Sequence, residues 1–157
     1  MEEIYKIVLT FVLTIIGVVL IFSIKKGLEL FYINPFLNFK EKLIKTNTNL
    51  NFYRNILTNA FNKEEINENF FEKIMKAQET VRADWASLKS AHALTITKSF
   101  LKSKVFSYEE MKKIEKNLLY LSNAPIIRSN QMQRPDDSVD NRYDKINEIE
   151  ELFKKYL

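Results

Sequence analysis

The amino-acid sequence predicts an all-α protein, in which a single N-terminal transmembrane helix precedes an antiparallel helical bundle of about four helices. Three observations favour this fold class: a long apolar run, few turn-forming residues, and apolar side chains that recur every three or four positions. Gly occurs 2 times and Pro 3 times in 157 residues, which is too few for the tight hairpins of an all-β protein. A chain of this length has room for one domain.

The apolar run occupies residues 7–24, which carry no charge. As a helix it is about 27 Å long, close to the ~30 Å thickness of bilayer hydrocarbon. A cleaved signal peptide is disfavoured, because the chain starts Met1-Glu2-Glu3 and no small-residue cleavage site follows. A buried soluble helix is disfavoured because the rest of the chain is too short to surround it. The predicted span includes Ile7, Phe11, Ile15, Gly17, Leu20 and Ile24.

Charges beside the span predict its orientation. Lys25 and Lys26 follow it directly, so the positive-inside rule places the C-terminal side in the cytoplasm. We therefore expect a single-pass protein of the inner (cytoplasmic) membrane, with its N-terminus outside. Within the span, Thr10, Thr14 and Gly17 share one helix face that permits close contact between helices, although most apolar runs contain a few small residues.

The predicted organisation is an anchor with a juxtamembrane extension over residues 1–33, and a cytosolic helical domain over residues 34–157. Pro35 is expected to end the first helix, because it lacks an N–H group, and to start the next, with Asn34 as N-cap. The expected helices cover residues 35–61, 63–102, 108–122 and 140–157. Weak helix formers at 46–49 are expected to bend or break the first of these.

The long helix over residues 63–102 has a core stripe at intervals of three and four residues, as left-handed bundle packing requires. Ser107 and Glu110 form a capping box for the next helix, and Phe106 can pack on Met111 as a hydrophobic staple. Residues 123–139 read as a long loop that precedes the last helix. The core stripe comprises Phe70, Ile74, Ala77, Val81, Trp85, Leu88, His92 and Thr95.

Three short elements stand out in the predicted cytosolic part: NFYRNI at 51–56, RADW at 82–85 and NLLYLSN at 117–123. With the N-terminal anchor, they resemble a group of short uncharacterised bacterial proteins that have one N-terminal transmembrane helix and a helical cytosolic domain. Arg54 stands where that group has a small residue. The resemblance implies a helical, membrane-associated protein and carries no activity over.

Composition limits the chemistry. The absence of Cys excludes disulfides, thiolate metal sites and cysteine nucleophiles, and one His excludes an all-His metal site within one copy. Two glycines cannot supply a Gly-rich phosphate loop. We therefore expect no cofactor, no metal site and no catalytic residue.

Two side chains nevertheless have alternative interpretations. His92 is either a base or pH sensor, or a core residue bonded to a backbone carbonyl or a Tyr; no carboxylate lies one helical turn away. Asp84 is either catalytic or part of a semi-buried ion pair with Arg54 or a lysine of a neighbouring helix. Asp136, Asp137 and Asp140 lack the Gly and the spacing of a Ca²⁺ loop, so we interpret them as a solvated loop that caps the last helix.

Five basic residues follow the span and could meet anionic lipid headgroups: Lys25, Lys26, Lys40, Lys42 and Lys45. The simpler interpretation is that these charges set the orientation of the span and otherwise face solvent. Nucleic acid is a disfavoured partner, because Lys predominates over Arg and no helix-turn-helix signature is present. A second lysine group, Lys98, Lys102 and Lys104, precedes the capping box.

The sequence therefore favours a non-enzymatic, membrane-anchored interaction or scaffold module on the cytoplasmic side. Its expected partners are the lipid bilayer and either another protein or a second copy. The first alternative is a membrane-perturbing, phage- or defence-related effector that oligomerises in the bilayer. The second is a membrane-bound enzyme that uses His92 or Asp84.

Overall fold

The computed structural model describes residues 1–59, 61–62, 67–97, 104–123, 127–128 and 139–157. Within these ranges the protein is helical apart from one two-residue strand pair, so the all-α prediction is confirmed at this level. The helices are α1 (Glu2–Leu28), α2 (Asn34–Phe52), α3 (Arg54–Thr58), α4 (Glu68–Ile96), α5 (Tyr108–Asn123) and α6 (Val139–Lys154). The strands are β1 (Phe61–Asn62) and β2 (Ile127–Arg128).

The expected break at Pro35 is wrong, because the helix continues through it. A π-helical turn at Glu29–Ile33 joins α1 to α2, and the unbroken helix Glu2–Phe52 is 51 residues long. Proline lacks an N–H group and its ring collides with the carbonyl four residues earlier in a regular α-helix. The wider π turn relieves this collision, and the Asn34 N–H donates to the Glu29 carbonyl. Asn34 therefore begins no separate helix.

The predicted helix over 35–61 is interrupted, but at Tyr53 and not at 46–49. Side chains in the weak stretch bond within the helix: Thr46 Oγ1 donates to the Lys42 carbonyl at 2.8 Å, and Asn51 Nδ2 donates to the Asn47 carbonyl at 3.1 Å. Tyr53 leaves helical geometry, with φ −93° and ψ 5°, and the short α3 follows.

The boundaries of the later helices differ from expectation mainly in α4. It begins at Glu68, where the Asn67 side chain caps the Phe70 N–H, and ends at Ile96, whereas 63–102 was expected. Residues 98–102 lie outside the described ranges. The capping box of α5 is present: the Glu110 N–H donates to Ser107 Oγ at 3.2 Å, and the Ser107 N–H donates to Glu110 Oε2 at 2.8 Å. The last helix, α6, ends at Lys154.

Helices α2, α4, α5 and α6 surround one hydrophobic core. Neighbouring helices α2 and α4 run in opposite directions, since Thr95 Oγ1 donates to the Pro35 carbonyl at one end and Asn49 contacts Asp84 further along. Phe106 and Met111, the expected staple, are both buried in this core. Its fully buried members include Phe39, Leu43, Leu88, Phe106, Ile114, Leu118, Ile146 and Phe153.

The two strands are parallel and connect two distant parts of the chain. Phe61 pairs with Ile127 and Asn62 with Arg128, which joins the connection after α3 to the connection after α5. β2 lies within the predicted loop 123–139. The rest of that loop between Asn123 and Val139, including Asp136 and Asp137, lies outside the described residues.

The first helix makes no part of the core. No residue of α1 is buried. Among the described residues, one helix is long and apolar enough to cross a membrane, and its apolar window lies near the N-terminus.

Candidate functional site

The candidate site is a groove between the C-terminal end of α4 and the first turns of α5. Its volume is about 440 Å³. The two helices run antiparallel, since Lys89 of α4 pairs with Glu115 of α5, and Arg82, earlier in α4, contacts Ser122, later in α5. The groove is lined by Lys89, His92, Ala93, Ile96, Thr97, Tyr108, Met111, Lys112 and Glu115.

His92 forms the inner wall of the groove and is only 6% exposed. Its Nε2 lies 2.7 Å from the Phe106 carbonyl oxygen. Because that oxygen can only accept a hydrogen bond, Nε2 carries the proton. The ring also packs beside Phe39 and Phe106, at centroid distances of 6.0 and 6.3 Å, and these two rings contact each other. His92 therefore fixes the chain before α5 against α4, which is the backbone-carbonyl interpretation.

The rim of the groove is unevenly charged. Lys89 pairs with Glu115 at 2.6 Å and neutralises it. Lys112 is exposed and forms no ion pair within the described part of the chain, and the same holds for Lys104 just before α5. Tyr108, between these two lysines, is 73% exposed. The groove thus combines an apolar floor with a basic, aromatic rim.

Asp84 is 3% exposed and is bound by two groups of α2. Asn49 Nδ2 donates to its Oδ2 at 2.6 Å, and Lys45 Nζ lies 3.2 Å from its Oδ1. The predicted lysine on a neighbouring helix is therefore Lys45. Arg54 instead donates to Glu150 of α6 at 2.8 Å, so it joins a different pair of helices.

Polar residues in the three elements that carry the resemblance connect helices. Arg82 donates to the Ser122 carbonyl at 3.0 Å and to Asn123 Oδ1 at 2.9 Å, which joins α4 to the end of α5. Asn117, 3% exposed, donates to Glu148 of α6 at 3.0 Å. This hydrogen bond is the largest cause of a lowered pKa at Glu148, and Lys113 and Lys145 lower it further. These contacts favour structural roles for the elements.

Arg142 is a buried residue that the sequence analysis missed. It is 1% exposed, its guanidinium donates to the Leu57 carbonyl at 2.9 Å, and it lies 5.8 Å from the Tyr120 ring centroid. Its position four residues before Ile146 places it on the buried face of α6, and this spacing is the signal that could have identified it.

The end of the chain docks beside the groove through Glu110. Its carboxylate accepts hydrogen bonds from Lys155 Nζ at 2.6 Å and the Tyr156 hydroxyl at 2.7 Å, as well as from Ser107. Burial raises the pKa of Glu110, but these hydrogen bonds outweigh it and lower the pKa from 4.5 to about 2. Burial and the Glu110 contact raise the pKa of Tyr156. Lys40 of α2 donates to the Tyr156 carbonyl.

Of the five lysines expected to meet lipid headgroups, the three in α2 already contact protein groups. Lys40 contacts the carbonyl of Tyr156, Lys42 lies 3.1 Å from Glu41, and Lys45 pairs with Asp84. Lys40 and Lys45 therefore connect α2 to other parts of the domain, whereas Lys42 pairs within α2 itself.

In the predicted span, the side chains of Ile7, Phe11, Ile15, Leu20 and Ile24 are exposed, and Gly17 is half-exposed. The Thr10 and Thr14 hydroxyls donate to backbone carbonyls one turn earlier, at 2.9 and 2.8 Å. The face with Gly17 therefore offers small side chains for helix packing, since its hydroxyl protons are already engaged. After the span, Lys26 pairs with Glu29 at 3.2 Å, and Lys25 is exposed.

The core stripe predicted for α4 is buried at all but its first residue. Ile74, Val81, Trp85, Leu88 and His92 are buried, whereas Phe70 is half-buried because it lies in the first turn of the helix. Asp140 is exposed in the first turn of α6. Within the described ranges no three His, Asp or Glu side chains come close enough together to hold a metal ion.

Comparisons with protein-family models, with curated proteins and with solved structures gave no match to this chain.

Proposed function

We propose that this chain is a non-enzymatic, single-pass membrane protein whose helical domain acts as an interaction or scaffold module at the cytoplasmic surface. The observation that carries the proposal is the contrast within one helix: α1 buries no residue, whereas α2, its direct continuation, is part of the core. Fourteen of the 18 residues at 7–24 are Ile, Val, Leu or Phe. Transfer of these side chains into lipid gains about 4–8 kcal/mol.

The orientation in this proposal rests on the charges beside the span. Glu2 and Glu3 precede it, and Lys25 and Lys26 follow it. This asymmetry favours an outside N-terminus and a helical domain in the cytoplasm. The scaffold role is supported by the contacts of the two candidate catalytic residues: His92 bonds a backbone carbonyl, and Asp84 is held by Lys45 and Asn49.

The test uses the absence of native Cys in the chain. Full-length variants with a single Cys at Glu3 or at Lys116, both exposed, are expressed in bacterial cells and treated with a membrane-impermeant maleimide. We expect Glu3→Cys to react in intact cells and Lys116→Cys to react only after the cells are opened. Carbonate extraction must also leave both variants in the membrane pellet. The reverse labelling pattern contradicts the orientation, and full-length protein in the supernatant contradicts the anchor.

The scaffold role needs a separate measurement, because an anchored enzyme gives the same labelling. Crosslinking of the full-length protein in its membrane, followed by mass spectrometry, should yield one stoichiometric protein partner or a second copy. Exclusively uncrosslinked monomer contradicts the scaffold role. The membrane-perturbing alternative is instead supported if the purified protein makes lipid vesicles leak ions and if Gly17→Leu abolishes this leak.

A further inference from the structure

The end of the helical domain nearest α1 carries a surface that the proposed function leaves unexplained. We call it the basal end and define it by Leu94 of α4, by Thr97 just after this helix, by Lys104, and by Tyr108 and Lys112 of α5. All five side chains are exposed. The bond from Thr95 to the Pro35 carbonyl holds this end of α4 against the first turn of α2. The bond from His92 to Phe106 holds the start of α5 at the same end.

We propose that the basal end docks on the anionic headgroups of the bilayer that holds the anchor. This inference rests on the proposed function, because it requires α1 to span the membrane. Lys104 and Lys112 supply positive charge that no carboxylate neutralises within the described residues. Tyr108, 73% exposed, and Leu94, 51% exposed, supply the apolar and aromatic surface that suits a membrane interface. Glu109 is the exposed carboxylate on this turn.

The continuous helix brings this surface close to lipid. Pro35 follows Ile24 by eleven residues, so it lies at most about 16 Å beyond the end of the hydrocarbon along the helix axis. The headgroup layer fills about 5–8 Å of that distance. Transmembrane helices are tilted by about 20° on average and by up to about 40°. Such a tilt brings one side of the attached domain closer to the bilayer surface.

The segment between the span and the domain favours such a tilt. It is apolar and exposed, with Leu28 and Leu30 each 50% exposed, Phe31 57% and Ile33 49%. An upright helix would leave these side chains in water, whereas a tilted helix places part of them at the lipid interface, where they are favoured. The same residues could instead contact a second copy, and the experiment below separates the two outcomes.

The groove gives the docking surface its shape. Its lining includes Thr97, Tyr108 and Lys112 of the basal end, together with the apolar side chains of Ala93, Ile96 and Met111. A phospholipid matches this arrangement, with its phosphate near the lysines and its upper acyl region against the apolar floor. Lys89 contributes little to such binding, because Glu115 already neutralises it.

The experiment uses full-length single-Cys variants, labelled with an environment-sensitive fluorophore and reconstituted into nanodiscs. The nanodiscs contain either phosphatidylcholine alone or a mixture with phosphatidylglycerol, with spin-labelled lipid as the quencher. Tyr108→Cys reports on the basal end. Glu79→Cys is the matched control, because Glu79 is exposed and lies eighteen residues before Thr97, about 27 Å from the basal end along the axis of α4. Ile15→Cys, quenched at the bilayer midplane, reports on the anchor.

We expect loss of Tyr108→Cys fluorescence in the anionic nanodiscs, little loss in phosphatidylcholine alone, and none at Glu79→Cys. High salt should reverse the loss, because the screening length falls from ~10 Å at 0.1 M to ~3 Å at 1 M. Adding Lys104→Glu and Lys112→Glu should abolish the loss, whereas Lys73→Glu with Lys76→Glu, at the far end of α4, should leave it unchanged.

Several results would overturn the inference. Quenching of Ile15→Cys without quenching of Tyr108→Cys leaves the anchor intact and refutes basal docking. Equal quenching in both lipid mixtures refutes selectivity for anionic headgroups. An oxidative disulfide between two copies of a Leu30→Cys variant, together with an unquenched Tyr108→Cys, assigns the exposed apolar segment to self-association. Absence of quenching at Ile15→Cys refutes the proposed function itself.

Discussion

Residues 2–28 and residues 34–52 belong to one unbroken helix, yet the two halves have different surroundings. The first half exposes its apolar side chains on every side, and the second buries one face, including Phe39 and Leu43, against the core. Helical geometry is common to both, so it does not distinguish them. The distribution of apolar residues around the helix does: a uniform distribution is typical of a helix that is surrounded by lipid or by a large protein core, whereas a one-sided distribution is typical of packing against protein on one face.

The largest expected effect is on stability, and it compares a substitution on the buried face of α2 with one on its exposed face. Phe39→Ala removes a fully buried ring that contacts Phe106 at a centroid distance of 5.6 Å. We expect a loss of about 3–5 kcal/mol in the free energy of unfolding. Leu37→Ala, on the face where Leu37 is 56% exposed, is the matched control and should change it by less than about 0.5 kcal/mol. Urea unfolding in detergent, followed by Trp85 fluorescence, measures both; equal effects would contradict the one-sided packing of α2.

The next effect tests the first half of the helix. Ile15→Arg places a charge in the middle of the proposed span, which disfavours insertion by about 3 kcal/mol. We expect less protein in the carbonate-resistant membrane fraction, while Ile15→Leu is unchanged. The unfolding free energy of the helical domain should be unaffected, because α1 contributes no buried residue to its core. A destabilised domain with normal membrane retention would reverse the roles assigned to the two halves.

A smaller effect concerns the polar contact between α2 and α4. Asp84→Asn keeps the shape of the side chain but removes the charge that Lys45 contacts at 3.2 Å. Hydrogen bonds to a charged group contribute about 1.5–3 kcal/mol to stability. Because Lys45 is largely exposed, we expect Asp84→Asn to lower the free energy of unfolding by no more than this. Glu79→Gln, an exposed carboxylate on the same helix, is the control. Thermal unfolding that leaves the melting temperature of Asp84→Asn at that of the control would show that the ion pair adds nothing.

The smallest effect is a pH dependence at the basal side of the domain. The pKa of Glu110 is lowered from 4.5 to about 2, so its stabilisation is complete above the unfolded value and is lost as the pH falls through the folded value. Glu110→Gln should therefore flatten the stability profile between these two pH values. It should also lower the stability at neutral pH, because Lys155 and Tyr156 then face a neutral amide, while the capping box remains since Gln can still accept the Ser107 N–H. Glu109→Gln, on the same turn, should retain the wild-type acid profile. Urea unfolding across this pH range provides the measurement, and an unaltered profile in Glu110→Gln would refute the assignment.

The three predictions on the helical domain and the one on the span can fail independently. The variants at Phe39 and Asp84 test the packing of α2 against the core. The variant at Glu110 tests the contact of α5 with residues 155–156, and the variant at Ile15 tests membrane insertion of α1. A result in which every variant loses both membrane retention and stability would show that the two halves of the long helix act as one cooperative unit.

Local patterns in the sequence determined most of the secondary structure. The capping box at Ser107 and Glu110, the periodic stripe of α4 and the apolar run at 7–24 each depend on residues within a few turns of one another. Their interactions are available to any helical segment, whatever it packs against. The helical class, the start of α5 and the existence of one span-length apolar helix could therefore be predicted.

Only the tertiary structure decided how the helices meet and where the first one continues. Pro35 can end a helix or be accommodated by a π turn, and packing of α2 against α4 on one side, with Thr95 bonded to the Pro35 carbonyl, accompanies the second outcome. Likewise, Lys45 rather than Arg54 contacts Asp84, and Arg142 reaches the Leu57 carbonyl. These choices depend on distances between residues far apart in the chain, which local periodicity does not encode.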